Sequence, residues 1–294
     1  MLQVARLSPK QLGDARDLVQ HFLLEQRHPD GGFQDRSGDP DLYYTVFGLE
    51  GLVALQAEPP IEALATYLRR FGAGDNLDFV HVACLARAWA TVGGFGGDNS
   101  LRVDEATRDA IAARLETFRS ADGGYAQTPG EESGTIYAAF LALGAYQDLQ
   151  REMPDAERLL PTIAALRAPD GGYANFPGMD VGLTSTTAAA VAIHRVFGRP
   201  MEGDPASWLL ARYHPQGGFV AAPEVPMPDL LSTATALHAL AILQAPLAPI
   251  QDSCLDFIDT LWTNRGGFYG SWADDFVDCE YTYYGLLALG HLTL

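Results

Sequence analysis

The sequence lacks long apolar runs and is poor in cysteine. No eighteen consecutive residues are apolar, so no segment is predicted to span a bilayer as a helix. The first residues lead into a polar helical pattern without the apolar core of a signal peptide, which predicts a cytoplasmic protein. The cysteines, Cys84, Cys254 and Cys279, are too few and too scattered for a disulfide framework, and we expect buried thiols.

Positive charge is also scarce. The chain has 19 Lys and Arg against 37 Asp and Glu, which gives a formal net charge of −18 at pH 7. Such a surface repels phosphate backbones and anionic lipids, so nucleic acid and membrane head groups are not expected partners. P-loop, dinucleotide-binding and nucleophile-elbow motifs are absent as well. The hydrophobic share of 48% still provides ample material for a core.

A glycine pair followed by an aromatic residue recurs along the chain. In the later copies the first glycine is residue 123, 171, 217 and 266, at intervals of 48, 46 and 49 residues. The first copy starts at Gly31, two periods before Gly123, so a degenerate copy is expected near Gly72. The glycine-rich stretch 93–97 is out of phase and is predicted to be an ordinary loop. We therefore predict that residues 1–294 form a single domain of about six repeats, each of about 47 residues.

Each repeat has the same predicted structure. A helix with one apolar face precedes the glycines, which end it, and a loop of about ten residues leads to a second, more apolar helix rich in Ala, Gly and Leu. Polar capping repeats, typical of an open solenoid, are missing at both ends. We therefore predict an all-α fold, an α/α toroid with six inner and six outer helices. The predicted inner helices are residues 42–55, 79–92, 135–146, 183–197, 230–243 and 280–292.

The glycine-aromatic loop, its period and the apolar helix after it resemble the repeats of protein prenyltransferase β-subunits and terpenoid cyclases over residues 17–292. Residues 39–45, Asp-Pro-Asp-Leu-Tyr-Tyr-Thr, are similar to the first inner-helix start of the Rab geranylgeranyl transferase β-subunit. This resemblance implies an apolar central cavity for an isoprenoid- or terpenoid-type ligand. It also leaves open a helical partner protein, because the family's β-subunits work beside an α-subunit.

The resemblance further implies a catalytic zinc held by Asp, by Cys two residues later and by His in the last repeat. The matching residues here are Asp229, Leu231 and Tyr281. Leucine and neutral tyrosine are not useful zinc ligands. We therefore expect neither zinc nor another cofactor, with a divalent cation at the carboxylates as the remaining alternative.

The family's diphosphate pocket is predicted to be lost too. The residues that match its His, Arg, Lys and Tyr are Asp180, Ala222, Val225 and Ser232. Between residues 201 and 251 the sole Lys or Arg is Arg212. A diphosphate in a site of low dielectric needs cationic partners, which this segment does not supply.

The Asp-x-Asp-Asp acid motif of protonating terpenoid cyclases is absent, and its nearest substitute is residues 273–280. Closely spaced carboxylates raise one another's pKa and can keep one acid protonated beside an apolar cavity. The candidate catalytic residues are therefore Asp275, Asp278 and Glu280, together with Asp229.

Acidic residues recur at the predicted start of each inner helix, and a threonine often follows four residues later. One interpretation is that each acid caps its helix, which contributes roughly 0.5–2 kcal/mol. The other is a rim of carboxylates that attracts a cation, a divalent metal or a basic peptide. The acids are Asp41, Asp78, Glu132, Asp180, Asp229 and Asp278, and the threonines are Thr45, Thr184, Thr233 and Thr282.

Aromatic residues on the inner helices are candidates for an isoprenoid pocket, and aromatic faces also stabilise carbocations. Tyr283 and Tyr284 are adjacent on a helix and are not expected to face the cavity together. Three hypotheses stay open: an enzyme of isoprenoid or terpenoid metabolism, a non-catalytic lipid- or protein-binding module with an acidic cavity mouth, and a true zinc-dependent prenyltransferase. The predicted substrate-binding residues are Tyr44, Phe47, Tyr137, Asp180, Tyr281 and Tyr284.

Overall fold

The helices alternate between an outer and an inner layer. The computed structural model describes residues 1–95 and 101–293. Two short helices, α1 (Leu2–Ala5) and α2 (Pro9–Leu12), begin the chain. The outer helices of the described residues are α3 (Arg16–Glu25), α5 (Ile61–Arg69), α7 (Glu105–Glu116), α9 (Leu159–Ala164), α11 (Pro205–Leu210) and α13 (Gln251–Thr260). The inner helices are α4 (Leu42–Ala54), α6 (Phe79–Phe95), α8 (Ile136–Leu149), α10 (Thr184–Phe197), α12 (Leu230–Ile242) and α14 (Cys279–His291).

The inner helices form a closed ring. Each packs against the next one along the chain, and α14 packs against α4. The outer layer closes as well, because the last glycine pair lies against α3. A Cβ atom on Gly266 would be 2.2 Å from the Leu18 carbonyl oxygen, and one on Gly267 would be 2.8 Å from the Phe22 ring. The predicted all-α toroid is confirmed.

The glycine-aromatic turns attach each outer helix to the ring. In the first repeat Gly31 has a positive φ of 105°, a backbone conformation that favours glycine. The following aromatic residue, Phe33, is fully buried, and its N–H donates to Thr45 Oγ1 of α4 at 2.9 Å. The same bond joins Phe219 to Thr233 at 2.9 Å. These threonine hydroxyls therefore hold the turns in place.

Strand structure is minimal in the described residues. β1 (Phe33–Gln34) and β2 (Pro40–Asp41) pair antiparallel, with Phe33 opposite Asp41. Short 3₁₀ segments occur at Gly13–Ala15, Ala156–Arg158 and Ala248–Ile250. No helix in the described part of the chain is long and apolar enough to cross a membrane.

One predicted loop is wrong in its first half. Gly93, Gly94 and Phe95 continue α6 as its last turn. Gly96 and Gly97 lie outside the described residues.

The ring has two distinct faces. The first turns of neighbouring inner helices lie together, since His81 of α6 is hydrogen-bonded to Asp41 before α4, and Tyr43 of α4 to Glu280 of α14. We call this side the N-terminal face and the opposite side the C-terminal face. At the C-terminal face α1 packs across α14 and α4, where Gly290 allows close approach to the Val4 carbonyl.

Candidate functional site

A cavity of about 430 Å³ lies inside the ring. Residues of α4, α6 and α8 line the cavity from the first turn of each helix onward. Residues of α10 and α12 line it only in the second half of each helix. The lining residues Gln147, Arg195 and Val196 are exposed near the ends of their helices, so the cavity opens at the C-terminal face. Its aromatic wall consists of Tyr43, Phe47, Tyr137, Phe140, Tyr283 and Tyr284.

Three of the predicted substrate-binding residues lie on this wall, namely Phe47, Tyr137 and Tyr284. Tyr283 and Tyr284 both line the cavity, contrary to expectation, because Phe47 contacts both rings, at centroid distances of 5.7 and 5.5 Å. The cavity in the middle of the ring is wide enough that two adjacent residues of one inner helix can both line it.

The other three predicted substrate-binding residues do not line the cavity. Tyr281 lies beneath the Arg36 guanidinium, 5.6 Å from its ring centroid, and Tyr44 lies on the same side of the N-terminal face. Asp180 is exposed in the loop before α10. The structure therefore places Tyr44 and Tyr281 at the N-terminal face and Asp180 in an exposed loop, and their role in substrate binding stays a prediction.

Glu280 and Tyr43 form a half-buried acid–phenol pair at the edge of the cavity. The Tyr43 hydroxyl, on the wall, donates to Glu280 Oε1 at 2.6 Å. Burial, aided by the nearby Asp278 charge, raises the pKa of Glu280 to about 7, although the Tyr43 hydrogen bond and Arg36 oppose this. A carboxyl group with that pKa is about half protonated at neutral pH, so it can donate or accept a proton there.

The other predicted catalytic acids differ in their surroundings. Asp278 is only 4% exposed, caps α14 by accepting from the Tyr281 N–H at 2.9 Å, and accepts from Arg36 Nε at 2.8 Å. Asp229 caps α12, and its two oxygens accept from the N–H and hydroxyl of Ser232, both at 2.7 Å. Neither lines the cavity. Asp275 is exposed, and its neighbour Asp274 contacts Arg36 instead, at 3.2 Å.

The predicted ring of acids is only partly realised. Asp41 caps α4, and Asp78 accepts from the His81 N–H in the first turn of α6. His81 also bridges these two carboxylates, with Nε2 2.8 Å from Asp41 and Nδ1 2.8 Å from Asp78. The hydrogen bond to Asp41 is the largest of the effects that raise the pKa of His81 to about 9.

Glu132 and Asp180 do not cap their helices. The residues at those positions are Thr135 before α8 and Leu183 before α10. In both repeats the Asp before the glycine pair ties the loop, since Asp122 accepts from the Gly134 N–H. Asp170 accepts from the Gly182 N–H in the same way, at 3.1 Å. The cap lies twelve residues after the first glycine here, as it does at Asp229 and Asp278, so Glu132 and Asp180 lie three residues before the cap position.

Comparison with known proteins identifies the fold family. A sequence profile of the prenyltransferase alpha-alpha toroid domain matches residues 2–86, 71–152, 135–205 and 198–293. The chain belongs to this family. A comparison with curated proteins finds no match.

Solved structures of this toroid fold have different activities. The chain is similar to the type II terpene cyclase MstE from Scytonema bound to geranylgeranyl dihydroxybenzoate, with 14% identity, 97% of each chain covered and a TM-score of 0.67. It is also similar to Candida albicans protein geranylgeranyltransferase-I complexed with GGPP, with 16% identity, 94% and 90% covered and a TM-score of 0.68. The GH76A alpha-1,6-mannanase from Salegentibacter matches with 13% identity, 95% and 98% covered and a TM-score of 0.62. At these identities the likeness concerns the fold, which does not decide the chemistry.

The residues at the zinc positions of the family's prenyltransferases do not fit the metal. Asp229 uses both oxygens on Ser232, Leu231 is apolar, and the Tyr281 ring packs against Gly270. In residues 1–95 and 101–293 no group of three His, Cys, Asp or Glu side chains could hold a metal ion, so the divalent cation considered from the sequence has no matching group there either.

The charged part of the cavity is not indicated by the apolar pattern of any single helix. Glu50 of α4, Arg87 of α6 and Asp148 of α8 line it, and Arg195 lies at its rim. The opening is therefore of mixed charge and not the purely acidic mouth that was considered. The sequence feature that could have indicated this charged part is a charged residue in the middle of an otherwise apolar inner helix, such as Glu50 in α4.

Proposed function

We propose that this toroid binds an isoprenoid- or terpenoid-type hydrophobic ligand in its cavity and acts on it by proton transfer at the Glu280–Tyr43 pair. The observation that carries the proposal is the position of the Glu280 carboxyl group, whose pKa is raised by burial and which is hydrogen-bonded to a tyrosine of the aromatic wall. The similarity to a terpene cyclase and a geranylgeranyltransferase, both in complex with geranylgeranyl compounds, supports this class of ligand.

The chemistry would be protonation of an alkene. In the neutral form the Glu280 carboxyl group donates its proton to the Tyr43 oxygen while the Tyr43 hydroxyl passes its own proton to one alkene carbon; Glu280 is left as a carboxylate and a cation forms on the other carbon. The rings of Phe47, Tyr137 and Tyr284 would stabilise this cation electrostatically. Neighbouring double bonds then close rings, and the last cation loses a proton to water, from which Glu280 is reprotonated, so the reaction is an isomerisation that needs no oxidant.

Zinc and diphosphate chemistry have no part in the proposal. The residues at the zinc positions do not fit the metal, and Asp180, Ala222 and Val225 offer no cation to a diphosphate. A helical partner protein and a cytoplasmic location stay predictions.

Turnover in D₂O tests the proposal. Farnesol and geranylgeraniol are incubated with the protein, and we expect a cyclised isomer that carries one deuterium, detected by mass spectrometry. The rate should fall above pH 7 as Glu280 ionises. Glu280→Gln should abolish turnover, and Tyr43→Phe should reduce it at least about tenfold, as for loss of a general acid–base group.

Glu132→Gln is the matched control, because it makes the same change at an exposed site outside the cavity, and its rate should equal that of the wild type. Ligand binding without turnover would contradict the catalytic proposal and favour a lipid-binding module. Stoichiometric zinc with transfer of a prenyl group to a thiol would favour a true prenyltransferase.

A further inference from the structure

Three charged side chains interrupt the apolar wall of the cavity. Arg87 lies between two acids, with Nε 3.3 Å from Glu50 Oε1 and 3.2 Å from Asp148 Oδ2. Glu50 is only 6% exposed. Burial raises the pKa of Asp148 to about 6, so it is largely ionised at neutral pH. The Arg87 side chain is 44% exposed, so the two acids are the charges that are largely removed from water, and such charges are costly unless they are well paired.

Two polar atoms beside this cluster form no hydrogen bond of normal geometry. Glu50 Oε1 is buried and accepts no hydrogen bond, since the approach of Arg87 lies outside hydrogen-bonding geometry. The Tyr283 hydroxyl is also buried and forms no hydrogen bond of normal geometry, but it lies close enough to Glu50 that, after burial, the charge of Glu50 and a weak hydrogen bond to it help to raise the pKa of Tyr283. Buried polar groups are nearly always satisfied in folded proteins. The wall thus holds an acceptor and a hydroxyl that lie close to each other without a hydrogen bond of normal geometry.

We propose that this part of the cavity binds the hydroxyl head group of an isoprenoid-type alcohol. The ligand hydroxyl donates to Glu50 and accepts from Tyr283, which satisfies both atoms. The proposal rests on the proposed function and adds the head-group chemistry of its ligand.

An anionic head group fits less well. Glu50 and Asp148 would repel it, and Arg87 already contacts both acids. The remaining cationic side chain among the lining residues is Arg195, which is exposed at the rim. The Met1 amino group also lines the cavity close to Glu50, but burial lowers its pKa and so disfavours its charged form. A diphosphate needs several converging cations in such a setting.

This head-group subsite, formed by Glu50 and Tyr283, also fixes the orientation of the ligand. Glu50 and Tyr43 are seven residues apart on α4, which separates them by about 10 Å along the helix axis. With the hydroxyl at Glu50, the hydrocarbon chain follows the aromatic wall toward Tyr43 and Glu280. The proton of the proposed reaction therefore reaches a double bond remote from the alcohol.

Dissociation constants of three ligands of one chain length test the subsite: farnesol, farnesyl diphosphate and the C15 hydrocarbon without the hydroxyl. We expect farnesol to bind at least about tenfold more tightly than the hydrocarbon, as for a hydrogen bond to a charged group. Glu50→Gln should remove most of this preference and leave hydrocarbon binding within about twofold. Glu58→Gln, exposed and outside the cavity, is the matched control and should change neither value.

Tyr283→Phe provides a second variant in case Glu50→Gln does not fold. It removes a hydroxyl that forms no hydrogen bond of normal geometry in the free protein, so the unliganded variant should be at least as stable as the wild type, while farnesol should bind about threefold more weakly. Equal affinity of the wild type for farnesol and the hydrocarbon would overturn the subsite alone. If the wild type prefers farnesyl diphosphate and Arg195→Gln removes this preference, the head group binds at an anion site at the rim, and the proposed hydroxyl subsite is wrong. Failure of all three ligands to bind would overturn the proposed function as well.

Discussion

The N-terminal face and the cavity wall use carboxylates in opposite ways. On the face, Asp278 accepts from a backbone N–H and from Arg36, and Asp41 accepts from a backbone N–H and from His81. On the wall side, Glu280 has a single tyrosine hydroxyl, and one oxygen of Glu50 has no hydrogen bond. Asp278 and Glu280 are two residues apart, yet they belong to different environments.

This difference separates structural acids from candidate functional ones. A carboxylate that accepts hydrogen bonds from helix N–H groups and a cation stabilises the fold. A buried carboxylate with fewer partners costs free energy, and such groups are concentrated at functional sites. The acids on the face should therefore affect stability when changed, and those at the wall should affect binding or turnover.

The largest expected effect is that of Asp278→Ala. It removes the cap of α14 and leaves Arg36 without the buried partner that joins the first repeat to the last. We expect a loss of about 3 kcal/mol in the free energy of unfolding, since a cap contributes up to about 2 kcal/mol and an ion pair with a partly exposed arginine up to about 1 kcal/mol. Urea denaturation monitored by circular dichroism measures it.

Asp275→Ala is the control for this change, because Asp275 is exposed three residues earlier. It should alter stability by less than about 0.5 kcal/mol. Equal stability of the two variants would mean that the contacts of Asp278 do not stabilise the ring.

His81 should make the stability of the N-terminal face depend on pH. Its pKa is raised from 6.5 to about 9 in the folded protein, so its contribution is complete below pH 6.5 and is lost as the pH rises to 9. Because the side chain is 30% exposed, we expect a decrease of about 2 kcal/mol across this range. Unfolding free energies at pH 6.5 and 9 should differ in the wild type and much less in His81→Gln.

The exposed His21, paired only with Glu25 in the same helix, provides the control. His21→Gln should retain the wild-type decrease between pH 6.5 and 9. A decrease of unchanged size in His81→Gln would assign it to other groups.

The fold could be predicted because its repeat is encoded locally. The glycine pair needs a positive φ and close packing, and the helix after it is apolar, so the period places every inner helix to within three residues. The acids at residues 41, 229 and 278 were correctly placed at helix starts. Glu132 and Asp180 were misplaced, because they lie nine residues after the first glycine of their repeats, whereas the caps Asp229 and Asp278 lie twelve residues after theirs.

The site was less predictable because it depends on tertiary packing. Phe47, Tyr137 and Tyr284 follow from helical spacing, and the structure places them on the wall. Only the second halves of α10 and α12 line the cavity, so Asp229, which lies at the start of α12, is outside it. The sequence alone does not reveal which half of each helix reaches the cavity. The Glu50–Arg87–Asp148 cluster joins three different repeats, a contact that no single helical pattern contains.

Glu280→Gln should have the smallest effect on stability, and its sign should be opposite to that of Asp278→Ala. The pKa of Glu280 is raised from 4.5 to about 7 by burial, so the wild type loses stability as the pH rises through this range, because the unfolded carboxyl ionises first. Glutamine keeps an oxygen for the Tyr43 hydroxyl but carries no charge. We therefore expect the variant to match the wild type at pH 4.5 and to exceed its unfolding free energy by about 1 kcal/mol at pH 8. A variant that is less stable at pH 8 would show that Glu280 stabilises the fold as Asp278 does, and the distinction between face and wall would be lost.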